Sequence, residues 1–363
     1  MKKQFSQISK TVRTLLGWTL VLTLLAASCE KPVDPIEKPL IGEEGIFILN
    51  EGGFNANNAS ISFYDFKTKQ VTDDVFLDAN QRGLGDVGND LKMYGGKLYC
   101  VVNNSEVLEV INPNTMKSIK SLPLTGKQPR MLEFYQNKAY VTCYDGTVIR
   151  LDTASLTIDG TLNVGSNPNG ICLVGNKLYV ANSGGCDYPI TSNTVSVIDP
   201  VSFTEIKKIE VGLGPNFILG DDQGDLYVAC TGNWNDIEPG FYRIAAGTEE
   251  VTNLNIPIMN FTIHNQTAYI YYNNYNPVDP VLWIKEFNTH TESITNENFI
   301  ADGTTIKAPY GVKVDPRNGD VYITDAIDFK TTGDLYCFSS TGNKKFKVSV
   351  GICPNGSLVF KRK

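Results

Sequence analysis

Histidine is nearly missing from this chain: its 363 residues include two, His264 and His290. Nucleophilic and general-base chemistry leans most often on an imidazole, so this scarcity narrows the catalytic options. There is no Gly-x-Ser-x-Gly elbow, no Cys-x-x-Cys-His haem-attachment run and no glycine-rich phosphate cradle. Paired Cys-x-x-Cys spacing is also missing. The seven cysteines after Cys29 (Cys100, Cys143, Cys172, Cys186, Cys230, Cys337 and Cys353) are odd in number and irregularly spaced. They signal neither a zinc site nor a regular disulfide framework, and are expected to be mostly buried with at most a pair or two bridged. Nor is there a concentrated basic surface. The 32 Lys and Arg against 39 Asp and Glu give a net charge of −7, and apart from Lys361-Arg362-Lys363 the cations are scattered. Binding a phosphate backbone needs the opposite arrangement, so nucleic acid is not an expected partner.

Long apolar runs are short of what a membrane span requires. The stretch Leu15 to Ala27 follows Lys2, Lys3, Lys10 and Arg13 and precedes Ser28 and Cys29. It is shorter than the roughly 20 residues of a spanning helix and has the layout of a bacterial secretion signal. Small residues ahead of a cysteine suit a lipoprotein signal peptidase, so residues 1–28 are read as the signal and Cys29 as the acylated N-terminus. Leu25 lies four residues before the cysteine rather than three, which leaves ordinary cleavage without lipid as the alternative. Residues 29–41, with three prolines among charges, read as a semi-rigid tether. The acidic residue after Cys29 is similar to the surface-export signals of Bacteroidota lipoproteins, implying an outer-membrane anchor facing the cell exterior.

What the remainder has in abundance is one repeated strand. It recurs as Ile46-Phe47-Ile48, Leu98-Tyr99-Cys100, Ala139-Tyr140-Val141, Leu178-Tyr179-Val180, Leu226-Tyr227-Val228, Ala268-Tyr269-Ile270 and Val321-Tyr322-Ile323. The aromatics are spaced by roughly 40 to 50 residues, the period of a four-stranded propeller blade. Polar turns such as Gly95-Gly96-Lys97 open each copy, and alternating strands follow it, as in Val195 to Asp199 and Ile209 to Val211. A pair of β-sandwiches does not repeat one strand order at fixed period, so residues 42–363 are expected to form an all-β, seven-bladed propeller. The first copy enters without an inner strand, and Asn355 to Phe360 has no blade of its own. The C-terminal strand should therefore complete the first blade and close the ring.

In this layout the loops before the inner strand and after the repeated strand share one face. Just after the proline turn the chain carries Asn89, Arg130, Asn169, Asn216, Asn260, Tyr310 and Asn355. The end of the repeated strand carries Asn50, Val102, Cys143, Asn182, Cys230, Tyr272 and Asp325. Taken singly, an asparagine there is a turn former. Five at one repeat position facing one opening exceed what turns require and predict a mouth lined by neutral amides, which donate and accept hydrogen bonds without adding charge. Asn50 and Asn182 join this candidate set, as do loop aromatics that bury area at low entropic cost: Phe54, Tyr188, Trp234, Tyr275 and Phe329. Both histidines fall on the opposite face. Asp90 with Asp325 is too little for a calcium-dependent lactonase-type centre. No catalytic residue, metal or cofactor is expected.

The Leu-Tyr-Val strands, Gly-x-x-Pro turns and leading cysteine resemble the YncE-like and surface-layer-type propellers over about residues 46 to 360. The Cys29 anchor, the irregular blades, the amide-rich face and the opening Phe47-Ile48-Leu49-Asn50-Glu51-Gly52 resemble, more narrowly, the BtuG family. Those are surface lipoproteins of gut Bacteroidota that capture cobalamin and pass it to a TonB-dependent outer-membrane transporter. The resemblance implies binding of cobalamin or another corrinoid without catalysis. It transfers no individual binding residues, and fold alone does not fix function. A surface adhesin or scaffold binding protein or glycan through the same face is the rival reading, with Trp234 and Tyr275 as its stacking groups.

Overall fold

The computed structural model describes residues 41–363. The expected signal peptide, lipidation at Cys29 and most of the tether lie outside the described residues. Ile41, placed at the tether's end by composition, is buried against the first core cluster with Phe47 and Phe63.

Among the described residues twenty-eight strands form seven four-stranded antiparallel sheets, the seven-bladed propeller that the repeat implied. Closure is also as expected. The C-terminal strand β28 (Pro354–Lys361) pairs with β1 (Gly45–Asn50), Leu358 lying opposite Ile48, so with β2 (Ser60–Asp65) and β3 (Val71–Thr72) the first blade has the order β28-β1-β2-β3. The inner strands of the other blades are β4 (Gly88–Tyr94), β8 (Pro129–Tyr135), β12 (Pro168–Val174), β16 (Pro215–Gly220), β20 (Asn260–His264) and β24 (Pro309–Val314). A short helix, α1 (Val75–Asn80), follows the first blade's outer strand and buries Val75, Phe76 and Ala79. The strand periodicity carried no sign of it.

The core lies between blades. All seven repeated aromatics are buried, and Tyr99 packs into one cluster with Leu132, Phe134 and Val141 of the next blade. Each such ring removed from water is worth roughly 1.5–3 kcal/mol. Two tyrosines also reach across the seam with their hydroxyls: Tyr140 donates to the Pro200 carbonyl and Tyr227 to that of Thr289, both at 2.8 Å. The repeated aromatic thus fastens each blade to its successor.

Among the described residues the seven cysteines are all free thiols; six are buried and Cys186 is exposed. Burial of most of them is as expected, and none of the seven is bridged. Burial pushes the thiols of Cys143 and Cys353 up to about 12 and about 11.

Candidate functional site

A register shift marks the start of most inner strands: between Gly88 and Asp90, Pro129 and Leu132, Pro168 and Ile171, Pro215 and Phe217, and Pro309 and Gly311. A bulge leaves a residue unpaired and re-aims its side chain. Asn89, Arg130, Asn169, Asn216 and Tyr310 occupy those bulges. With Asn260 and Asn355 they line one axial cavity of about 770 Å³. The repeat-position ring is therefore a physical ring.

Its hydrogen bonds run around the circumference. Arg130 donates through Nε to Asn169 Oδ1 and through Nη1 to Asn89 Oδ1, both at 2.8 Å, while its guanidinium lies over the Tyr144 ring at 4.5 Å. Asn169 Nδ2 donates to Asn216 Oδ1 at 2.5 Å. Asn355 Nδ2 donates to the Gly88 and Asn89 carbonyls at 2.9 and 3.0 Å, tying the closing strand to the second blade. Asn260 Oδ1 accepts from the Phe261 amide at 2.7 Å. Among the described residues the Nδ2 groups of Asn89 and Asn216 have no acceptor. Their acceptor oxygens are already occupied, so the ring presents N–H donors to whatever enters.

The opposite arc is aromatic. Phe329 packs edge-on against Tyr310 (centroids 5.2 Å) and against Tyr275 (5.7 Å), and Tyr275 and Tyr271 line the cavity beside them. Tyr310 donates from its hydroxyl to Glu51 Oε2 at 2.8 Å. Burial raises the Glu51 carboxyl above its ordinary range, offset in part by that hydrogen bond and by the Arg130 charge. Burial and the Glu51 charge raise the Tyr310 phenol. Glu51 is a lining residue that sequence reasoning did not single out, although it stands inside the quoted Asn50-Glu51-Gly52 segment. Its signal was weak because the residue after the repeated strand is Asn103, Tyr144, Ser183, Thr231 or Ala326 in other blades, with no shared chemistry.

Other candidates do not meet at the cavity. Asn50 and Asn182 are fully buried. Asn50 Nδ2 donates to Ser62 and Ser60 hydroxyls at 2.9 and 3.1 Å, and Asn182 Nδ2 to Ser196 and Thr194 at 2.9 and 3.0 Å. Each packs against a glycine where the preceding blade's outer strand ends: a Cβ on Gly351 would meet Asn50 Cγ at 2.6 Å, and one on Gly165 would meet Asn182 Cγ at 2.4 Å. They are turn-to-strand clamps inside the blade, not part of the mouth, because the end of the repeated strand is already covered by the incoming turn. Asp325 is a clamp too, accepting from the Ala308, Ile327 and Lys307 amides at 2.8, 2.9 and 3.0 Å. Phe54, Tyr188 and Trp234 are exposed on their loops at 73, 76 and 57 % and do not line the cavity. On the other face, His290 Nε2 lies 2.6 Å from Asp222 Oδ1, with Asp221 beside them.

A family model described as a domain of unknown function, DUF5074, matches residues 44–351. No curated protein matches. Among solved structures, a quinonprotein alcohol dehydrogenase-like protein from Bacteroides thetaiotaomicron is 15 % identical with a TM-score of 0.61, covering 90 % of this chain and 79 % of that one. Hydrazine synthase from Kuenenia stuttgartiensis is 15 % identical with a TM-score of 0.61 (73 % and 87 % covered). Virginiamycin B lyase from Staphylococcus aureus is 14 % identical with a TM-score of 0.54 (73 % and 84 % covered). These neighbours share the propeller fold and include enzymes; at such identities they carry the fold alone.

Proposed function

The chain belongs to the DUF5074 family, and from that premise we propose that it is a capture protein that binds cobalamin or a related corrinoid in the axial cup. One observation carries the reading: a donor-rich arc of Asn89, Arg130, Asn169 and Asn216 faces an aromatic arc of Tyr275 and Tyr310 across a single cavity. A corrinoid has an apolar ring face and a rim of carbonyl oxygens, so it suits one arc with each part. The resemblance to BtuG-type lipoproteins supports the same ligand. The arc is organised before the ligand arrives, which removes an ordering cost from binding.

In this reading Cys29 carries the lipid, the propeller stands on the outer membrane facing outward, and the ligand passes to a TonB-dependent transporter. A tether holds binder and transporter at high effective concentration. The exposed Phe54, Tyr188 and Trp234 are then available for the transporter rather than the ligand. Calorimetric titration of the purified protein with cyanocobalamin tests the central claim. Saturable heat and red colour retained through desalting are expected; no heat and no retained colour would end the reading.

A further inference from the structure

Below the amide ring, register defines a second level of the channel wall: the inner-strand residue paired with each repeated aromatic. Four of its seven members are polar and line the cavity. They are Lys92 opposite Tyr99, Glu133 opposite Tyr140, Thr262 opposite Tyr269 and Lys313 opposite Tyr322.

The two lysines at this level are not equally paired. Lys92 donates to Glu133 Oε2 at 2.9 Å, and the other Glu133 oxygen accepts from the Phe134 amide at 2.9 Å. Asp90, the remaining nearby carboxylate, is consumed as well. Its Oδ1 accepts from the Leu91 amide and the Ser357 hydroxyl at 2.9 and 3.2 Å, and its Oδ2 from the Leu132 amide at 3.0 Å. Lys313 is left with no hydrogen-bond partner among the described residues, and its side chain is open to the channel. The hydroxyl of Thr262, whose strand is packed beside that of Lys313, also has no partner. Enclosure by the blades, with the neighbouring charge of Lys92, lowers the Lys313 ammonium below the ordinary lysine range; Asp90 and Glu133 oppose this. An ammonium that no side chain or carbonyl accepts from gains a charge-assisted hydrogen bond when an anion enters the channel.

We propose that Lys313 and Thr262 form an anion seat inside the channel, taking a carboxylate or phosphate group that enters through the amide-lined mouth. This does not rest on the corrinoid reading, since it needs only a small anion. The seat takes either a free anion or the anionic group of a larger ligand lodged in the cup.

Calorimetric titration of the purified protein with inorganic phosphate, at constant ionic strength in chloride, tests it. Saturable binding is expected. A charge-assisted hydrogen bond in such a setting is worth about tenfold to a hundredfold in affinity, so Lys313→Met should weaken phosphate by that factor and Thr262→Val by about threefold. Lys345→Met on the outer surface should leave it unchanged. Both channel variants are first checked for native-like thermal unfolding. Should they fail to fold, the charge-keeping Lys313→Arg identifies the signal: with lysines reductively methylated with carbon-13, the dimethylamine resonance present in the parent and missing from Lys313→Arg should shift on adding phosphate to the parent. Absence of saturable binding, undiminished binding by a folded Lys313→Met, or an unmoved resonance would each overturn the seat. Once phosphate binds, competition with cyanocobalamin identifies the anion's natural source, and both results support the seat: displacement makes it part of the larger site, and simultaneous binding makes it a separate one.

Discussion

Replacing Arg130 by methionine should damage the cup more than the fold. The substitution keeps a long apolar stem but deletes two charge-assisted hydrogen bonds, to Asn169 Oδ1 and Asn89 Oδ1, each 2.8 Å long, and the contact with Tyr144. Both acceptors belong to buried side chains, Asn169 at 1 % and Asn89 at 7 % exposure. Orphaning one buried acceptor costs about 1–3 kcal/mol. The cation–π contact adds about 0.5–1 kcal/mol. Water can enter the cup and re-solvate part of the loss, which puts the net near the low end, about 2 kcal/mol. Against a total of about 5–15 kcal/mol the protein stays folded. With Asn89 and Asn169 no longer fixed, the donor arc loses its organisation, and cyanocobalamin should bind at least about tenfold more weakly, the equivalent of about 1.4 kcal/mol. Denaturant unfolding and calorimetry measure the two effects on one sample. Arg130→Lys keeps the charge but cannot fork to both amides, and should fall close to the methionine variant in affinity. If Arg130→Met matches the parent in both stability and affinity, the circumferential network has no energetic meaning and the reasoning fails.

Closure, turn packing and the buried carboxyl each give a further test. Removing residues 351–363 strips β28 from the first blade and leaves the inner edge of β1 unpaired, so the truncated protein should lose its cooperative melting transition; melting at the parent temperature would contradict closure by this strand. Gly165→Ala should cost about 1–3 kcal/mol because its Cβ meets Asn182 Cγ at 2.4 Å, whereas Gly83→Ala, with nothing within 4 Å, should be near neutral in urea unfolding. Burial raises the Glu51 carboxyl above its ordinary 4.5, so the folded state holds that proton more tightly than the unfolded chain; stability from this group is full at low pH and is lost as pH rises through the raised value. Glu51→Gln should flatten that decline in denaturant titrations carried upward from the ordinary carboxylate range.

The propeller was legible because a blade is a local object. Each unit repeats the same pairing of strands, and the aromatic at positions 47, 99, 140, 179, 227, 269 and 322 repeats with it, so counting those positions gave seven blades and left the C-terminal strand as the closing piece. The amide ring was legible for the same reason: one repeat position becomes one level of the axis. Side-chain direction was not. Asn50 and Asn182 share the mouth candidates' residue type and an equivalent repeat position, yet a glycine at the end of the preceding blade's outer strand seals each inside the blade. Bulges at the inner-strand starts, which turn Asn89, Arg130, Asn169, Asn216 and Tyr310 toward the axis, leave no mark beyond a proline turn.

Periodicity along the chain settles the number of blades, the manner of closure and which positions share a face, because each of these depends on spacing alone. Which neighbours meet across the axis is a property of the folded ring. Arg130 reaching Asn89 and Asn169 arises from the packing of successive blades, and Tyr310 reaching Glu51 from the far end of the chain and Lys313 standing near Asp90 arise from ring closure. Closure brings together residues up to hundreds of positions apart, and no local pattern in the chain encodes that proximity.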